Sequence, residues 1–178
     1  MNKNLESKAL RDGFGDEIVE LAAENNDIWV VNADLEGSLR VDSFKDKFPE
    51  RFVQVGVAEQ VMAGVGTGLA LSGKVPFITS FAAFSPGVNW SQIRLAAMSE
   101  ANLKIVSSHY GLNAGEDGAS AQMLSDIALM RVLPGVTVLS PADYNQTRLA
   151  VRWATKHKGM VYIRVTRSKF PIFTSLDD

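Results

Sequence analysis

Short runs of β-branched and aromatic residues recur along the chain at 28–31, 52–55, 75–79, 103–106, 136–139 and 161–165, and each reads as a strand. Between them apolar side chains return at intervals of three and four, as in Ile18, Leu21 and Ala22 or in Leu149, Trp153 and Ala154. Asp143 stands where a helix N-cap belongs. Strands alternating with helices predict parallel β–α units. Most of the strand runs are apolar at nearly every position, the pattern of a sheet covered on both faces. The expected fold is α/β: a three-layer sandwich with a mostly parallel six-stranded sheet.

Sheets of this kind bind ligands beyond the carboxyl ends of their strands, so the residues just past each run carry the candidate chemistry. They are polar or aromatic: Asn32-Ala33-Asp34-Leu35-Glu36-Gly37-Ser38, then Gly56-Val57-Ala58-Glu59-Gln60, then Ser80-Phe81-Ala82-Ala83-Phe84. His109-Tyr110-Gly111 and the glycine-rich stretch to Gly118 follow the fourth run, Ser140-Pro141-Ala142-Asp143 the fifth, and Thr166-Arg167 the sixth. Glu59 opens a helix. It is either a first-turn Glu favoured by the macrodipole, or a cleft carboxylate that shares a proton with a ligand nitrogen. Phe81 and Phe84 suit the core and an aromatic platform for a planar ring equally. Asp117, among Gly111, Gly115 and Gly118, is a helix cap or a ligand contact. His109 is a structural group or a substrate ligand, whereas His157, in Lys156-His157-Lys158, reads as a solvated helix end. Ser38, His109 and Arg167 together would make an anion site. Gly64-Val65-Gly66-Thr67-Gly68 misses the dinucleotide spacing, because Leu69 stands where the third glycine belongs. Each glycine costs a helix about 1 kcal/mol against Ala, which predicts a smooth face packed by another helix of this chain or a partner.

Composition narrows the classes. The chain has 178 residues with 18 basic and 20 acidic side chains, a formal charge of -2 that gives no pull toward nucleic acid. At 46% apolar and 21% charged it has the makeup of one globular domain over 1–178, and a chain this long buries roughly 70% of its unfolded surface. With no cysteine there are no thiolate nucleophiles, disulfides or iron–sulfur clusters, and a reducing compartment, the cytoplasm, is expected. The two histidines lack metal-ligand spacing, so no metal site is expected in the chain itself. The charge-free stretch 75–93 holds Pro76, Pro86, Gly87 and Asn89, which suit an interior or a cleft and not a membrane. Glu6 and Asp12 interrupt the N-terminal segment before an apolar run builds. No signal peptide is expected, and the mature chain is expected to begin at Met1.

Four motifs also follow one another in the order of a known family: Gly56-Val57-Ala58-Glu59-Gln60, Phe77-Ile78-Thr79-Ser80-Phe81-Ala82-Ala83-Phe84, Gly115-Glu116-Asp117-Gly118, and Pro134-Gly135-Val136-Thr137-Val138-Leu139-Ser140-Pro141-Ala142-Asp143. From about residue 9 to 170 the chain resembles the pyrimidine-binding domain of the transketolases, most closely the small subunit of split transketolases. The resemblance implies a thiamine diphosphate enzyme that transfers ketol groups between sugar phosphates, with its cofactor lying between two chains. It implies that Glu59 meets the pyrimidine N1′, Phe81 and Phe84 pack on the pyrimidine, and Asp34 lies near the thiazolium. His109 and Asp117 would contact sugar hydroxyls, and Ser38 and Arg167 the sugar phosphate. The carboxylate proton shared with N1′ would favour the imino tautomer, whose nitrogen removes the thiazolium C2 proton.

The family's Gly-Asp-Gly and Asn-Asn signature for Mg²⁺ and diphosphate does not occur in these 178 residues, nor does its C-terminal domain, as in a natural short subunit or in a piece of a longer protein. The implied partner is therefore an N-terminal diphosphate-binding subunit holding most of the Mg²⁺ contacts, in a homodimer or heterotetramer. Two departures stand out. Ala121 occupies the place of a usual His or Gln, and Ser85-Pro86-Gly87-Val88 lacks a further aromatic common in longer transketolases. A deoxyxylulose phosphate synthase, the β subunit of a 2-oxo acid dehydrogenase and a non-catalytic assembly module are the alternatives. Asp117 favours the transketolase over the first two, and Glu59 argues against the last.

Overall fold

The computed structural model describes residues 5–177; residues 1–4, where the mature start is expected, and residue 178 lie outside them. In chain order the elements are β1 (Ser7–Ala9), α1 (Leu10–Glu24), β2 (Ile28–Asn32), α2 (Glu36–Leu39), α3 (Asp42–Lys47), β3 (Phe52–Gln54), α4 (Glu59–Leu71), β4 (Val75–Phe81), α5 (Trp90–Met98), β5 (Lys104–Ser108), α6 (Asp126–Arg131), β6 (Thr137–Leu139), α7 (Tyr144–Lys156), β7 (Val161–Arg164) and β8 (Lys169–Pro171). The six strand runs read from the sequence form one sheet in the order β3-β2-β4-β5-β7-β6, and every neighbouring pair is parallel.

Consecutive strand residues point to opposite faces, and both faces are apolar. Val30, Phe77, Val106 and Ile163 join Phe14 and Ile18 of α1 and Val151 of α7 in one core layer. Val31, Ile78, Ile105 and Tyr162 join Met62 of α4, Ile93 of α5 and Met130 of α6 in the other. These are the three layers that near-continuous apolar strands demand. Helices α1 and α7 are further tied by Glu17, 1% exposed, which accepts from Arg148 Nε at 2.6 Å and from Arg152. Asp143 caps α7, accepting from the Gln146 amide at 2.9 Å. No helix among the described residues is long and apolar enough to cross a membrane.

Three local readings are corrected. The buried stripe of α7 is Tyr144, Thr147, Val151 and Ala154, which leaves Leu149 half-buried and Trp153 44% exposed on an adjoining face. His157 is half-buried and stacks on Trp153 with ring centroids 4.3 Å apart, so it is not simply solvated. The α4 glycines share no single face. A Cβ on Gly66 would stand 2.4 Å from Ile78 Cγ2, whereas Gly64 and Gly68 look into open space. Positions two apart lie about 200° apart around a helix, so Gly66 lets the helix lie on the sheet, and no helix among the described residues covers the other two. The structure also adds an antiparallel pair, β1 with β8, whose three-residue strands, Ser-Lys-Ala and Lys-Phe-Pro, are too short to carry a hydrophobic pattern.

Candidate active site

The chain leaves β2 for β3 on one side and returns to β4 on the other, which makes the carboxyl ends of β2 and β4 a topological switch point. Buried Asn32 sits there. Its Nδ2 donates to Thr79 Oγ1 at 2.8 Å, and its Oδ1 accepts from the Leu35 amide at 2.8 Å. Gln54 Oε1 accepts from the amides of Asp34 and Gly56, both at 2.9 Å, and its Nε2 donates to Glu36 at 2.7 Å. That amide, with Lys45, holds the Glu36 carboxyl below the ordinary range. Asn32 and Gln54 thus shape the loop that carries exposed Asp34, at φ 57°, and half-buried Ser38.

Glu59 is the first residue of α4 and 9% exposed, and its carboxylate forms no hydrogen bond or ion pair with any described residue. Asn89, fully buried, ties the helix start to the next loop: its Nδ2 donates to the Glu59 carbonyl at 3.1 Å and to Ser85 Oγ at 3.2 Å. That loop carries the two phenylalanines, whose rings stack with centroids 5.8 Å apart at 15°. Phe81 also stacks on His109, at 3.8 Å and 25°, and is only 6% exposed. Phe81 is therefore a core ring, and half-buried Phe84 leaves more of its surface to a ligand.

Phe81 joins Glu59's neighbourhood to a charged cluster. His109 has φ 59° and is 1% exposed; its Nδ1 lies 2.7 Å from Ser108 Oγ and its Nε2 3.6 Å from Asp117. Asp117 caps no helix. It ends the 3-10 turn Gly115–Asp117 and accepts from Arg167 Nη1 at 3.2 Å, while Arg167 Nη2 bonds Glu116. The Glu116 pairing raises the Arg167 pKa and lowers that of Glu116. Arg11 Nη1 donates to the Ser38 carbonyl at 3.1 Å, and its Nε is buried with no partner. Burial, and secondarily Arg40, pull the Arg11 pKa down. Burial first, then the charge of Arg11, lowers the His109 pKa to about 4, so its ring is neutral near pH 7.

The structure thus gathers Ser38, His109, Asp117 and Arg167 with Arg11, and sets Phe81 and Phe84 beside them. Arg11, Gln54, Asn89 and Ser108 were missed; only Gln54, a polar residue inside an apolar run, left a signal in the sequence. Ala121, 4% exposed, packs in the same core layer as Phe81 and Ala114. A separate groove of about 560 Å³ lies at the amino ends of the strands, bordered by Met98, Pro134 and Met160, on the wrong edge for a ligand of this fold. Among the described residues no group of three or more His, Cys, Asp or Glu side chains is placed to hold a metal ion.

Comparison with known proteins bears on the family and the fold. Residues 6–172 match the family described as Transketolase, pyrimidine binding domain. A Methanocaldococcus jannaschii protein, provisionally named transketolase C-terminal section, is 45% identical over 90% of this chain and 51% of its own length. A 6-deoxy-6-sulfo-D-fructose transketolase subunit of Clostridium sp. (strain MSTE9) is 39% identical over 92% of this chain and 51% of its own. The solved structure described as a split gene transketolase, inactive beta4 tetramer, superimposes with a TM-score of 0.85 at 43% identity, covering 96% of this chain and 55% of that one. The chain spans about half the length of these relatives, and the part it spans belongs to the transketolase family as a pyrimidine-binding domain.

Proposed function

We propose that the chain supplies the pyrimidine-side half of a thiamine diphosphate-dependent site for ketol transfer between sugar phosphates, completed by an N-terminal diphosphate-binding subunit. Glu59 carries this reading. Glu59 is 9% exposed and its carboxylate has no protein partner among the described residues, which leaves its oxygens to a ligand group, and an aminopyrimidine nitrogen is such a group. The other residues fit the same ligand: Phe84 leaves ring surface for the pyrimidine with Phe81 behind it, and Asp34 lies on the thiazolium side. In this reading the partner holds Mg²⁺ together with the diphosphate. Val57, Val88, Leu112 and Leu124 stand 54–80% exposed on the loops around the site, an apolar rim that suits such a partner. The split-gene relative described as an inactive beta4 tetramer supports the need for one.

When bound, the cofactor would supply an acidic ring carbon as nucleophile and a cationic ring as electron sink for C–C cleavage. Glu59 holds a proton at the pyrimidine N1′. His109 and Asp117 orient the sugar hydroxyls, and Ser38, Arg11 and Arg167 hold the sugar phosphate, with the orphan Arg11 Nε available for a charge-assisted bond. The chain alone is expected to show no ketol transfer, and mixing it with the diphosphate-binding subunit to restore it. In that complex Glu59→Gln should slow exchange of the cofactor C2 proton by at least about 10², the usual loss when acid–base assistance goes. An unchanged exchange rate would make Glu59 structural and remove the basis of the reading.

A further inference from the structure

We infer that Ser108 fixes the tautomer of His109, so that the site meets its ligand with an N–H at Nε2 and not with a base. Ser108 Oγ lies 2.7 Å from Nδ1, and both residues are buried. The ring has little freedom: it stacks at 3.8 Å on Phe81, and the left-handed backbone of His109 fixes where it leaves the chain. The hydroxyl makes no other hydrogen bond within the described residues. It can therefore either donate to Nδ1 or accept from it.

The far side of the ring decides. Nε2 is 3.6 Å from Asp117 Oδ2, longer than a hydrogen bond but close enough for charge to matter. A carboxylate only accepts. Were the proton on Nδ1, the lone pair of the buried ring's Nε2 would face that carboxylate, two acceptors opposed. With the proton on Nε2, its N–H dipole points toward Asp117, and Ser108 must donate to the bare Nδ1. The charged groups around the ring come from three places: Arg11 on α1, Arg167 beyond β7, and Glu116 and Asp117 in the turn before α6. Burial first, and then the two guanidiniums, disfavour a second proton, so the doubly protonated ring does not compete near pH 7. A neutral ring held this way is a hydrogen-bond donor of set direction.

Strand β5 explains why a serine can do this. Its last two residues are Ser107 and Ser108, whose side chains leave opposite faces of the sheet. Ser107 Oγ donates to the Ser85 carbonyl in the loop of the two phenylalanines, and Ser108 turns to the histidine. The Ser108 carbonyl accepts from the Ala82 amide at 2.8 Å, so β5 is locked to that loop on both sides of the hydroxyl. Ser108 is a positioning residue: it acts through His109. That the Nε2–H meets a sugar oxygen rests on the proposed function; the tautomer itself does not.

The test is nitrogen-15 NMR of the histidine-labelled chain, without ligand, at about pH 7. Long-range proton–nitrogen correlations distinguish the two neutral tautomers, and His157 is the one other histidine and an internal control. His109 should appear as a single neutral form with Nδ1 bare and Nε2 protonated. Ser108→Ala should yield a mixture with a visible Nδ1–H form, and Ser108→Thr, which keeps the hydroxyl, should not. A wild-type ring protonated on Nδ1, or a tautomer unmoved by Ser108→Ala, overturns the inference. If the alanine variant fails to fold, the wild-type spectrum still decides. In the complex with the diphosphate-binding subunit, Ser108→Ala should raise KM for a ketose phosphate about three- to tenfold, the worth of one neutral hydrogen bond, and leave C2 proton exchange unchanged. An unchanged KM overturns the functional half of the inference. Loss of the C2 exchange effect in Glu59→Gln strikes the proposed function instead, and the spectrum keeps the two failures apart.

Discussion

His109 holds a backbone angle that few side chains accept, as do Asp34, Arg40 and Glu100. Glu100 lies before β5, at the amino edge of the sheet, and the other three on loops at the carboxyl edge, and strain of this kind, worth about 1–3 kcal/mol per residue, persists where the surroundings enforce it. For His109 the enforcement has a pH signature. The folded ring stays neutral down to about 4, while an unfolded histidine titrates near 6.5. Between those values the unfolded chain binds more protons, so stability is full above about 6.5 and is lost as pH falls toward 4. His109→Asn keeps a residue that tolerates the left-handed backbone and removes the titration. Urea unfolding at pH 7 and pH 4.5 should show the wild type losing up to about 3 kcal/mol more than the variant. Equal losses would acquit His109. At this scale the sequence showed Glu59, His109 and Arg167, because each follows a strand run directly. Arg11, Asn89 and Ser108 stayed hidden because their meaning lies in what the fold brings to them.

The elements were more legible than their contacts. Unbroken apolar runs announced six strands, yet the same composition could not say which glycine of α4 meets the sheet. That split gives a paired expectation. Gly66→Ala places a Cβ 2.4 Å from Ile78 Cγ2 and 3.0 Å from Leu103 Cδ1, and such overpacking costs about 1–3 kcal/mol. Gly64→Ala and Gly68→Ala meet open space, so in the isolated chain each should add about 1 kcal/mol from helix propensity. Thermal unfolding of the three variants checks both signs at once. If Gly64→Ala also destabilises the isolated chain, another copy is packing on that face in solution. The β1–β8 pair makes the converse point: its backbone pairing brings together residues 7 and 171, a contact that no local pattern encodes.

For the whole molecule, the sheet order creates the crevice and the loops bring Glu59, two stacked rings and a cluster of paired charges to the same edge. Part of that edge is left uncovered by the described residues. Leu112 and Leu124 flank the bridge between Gly111 and Met123, at 71% and 77% exposure, so one short backbone pairing presents both to solvent beside the site. Apolar side chains held outward by ordered backbone, rather than folded in, favour a partner that buries them. In the proposed function that partner is the diphosphate-binding subunit, and charge at this lip should repel it without disturbing the fold. Leu112→Asp combined with Leu124→Asp should leave the chain's own unfolding within about 0.5 kcal/mol per site, as exposed substitutions usually do. Association with the partner should weaken by at least about tenfold, because two desolvated carboxylates would replace two buried leucines. Sedimentation of the mixed subunits measures the second effect and urea unfolding of the single chain the first. Normal association of the double variant would place the partner elsewhere on the molecule, with this lip left to solvent.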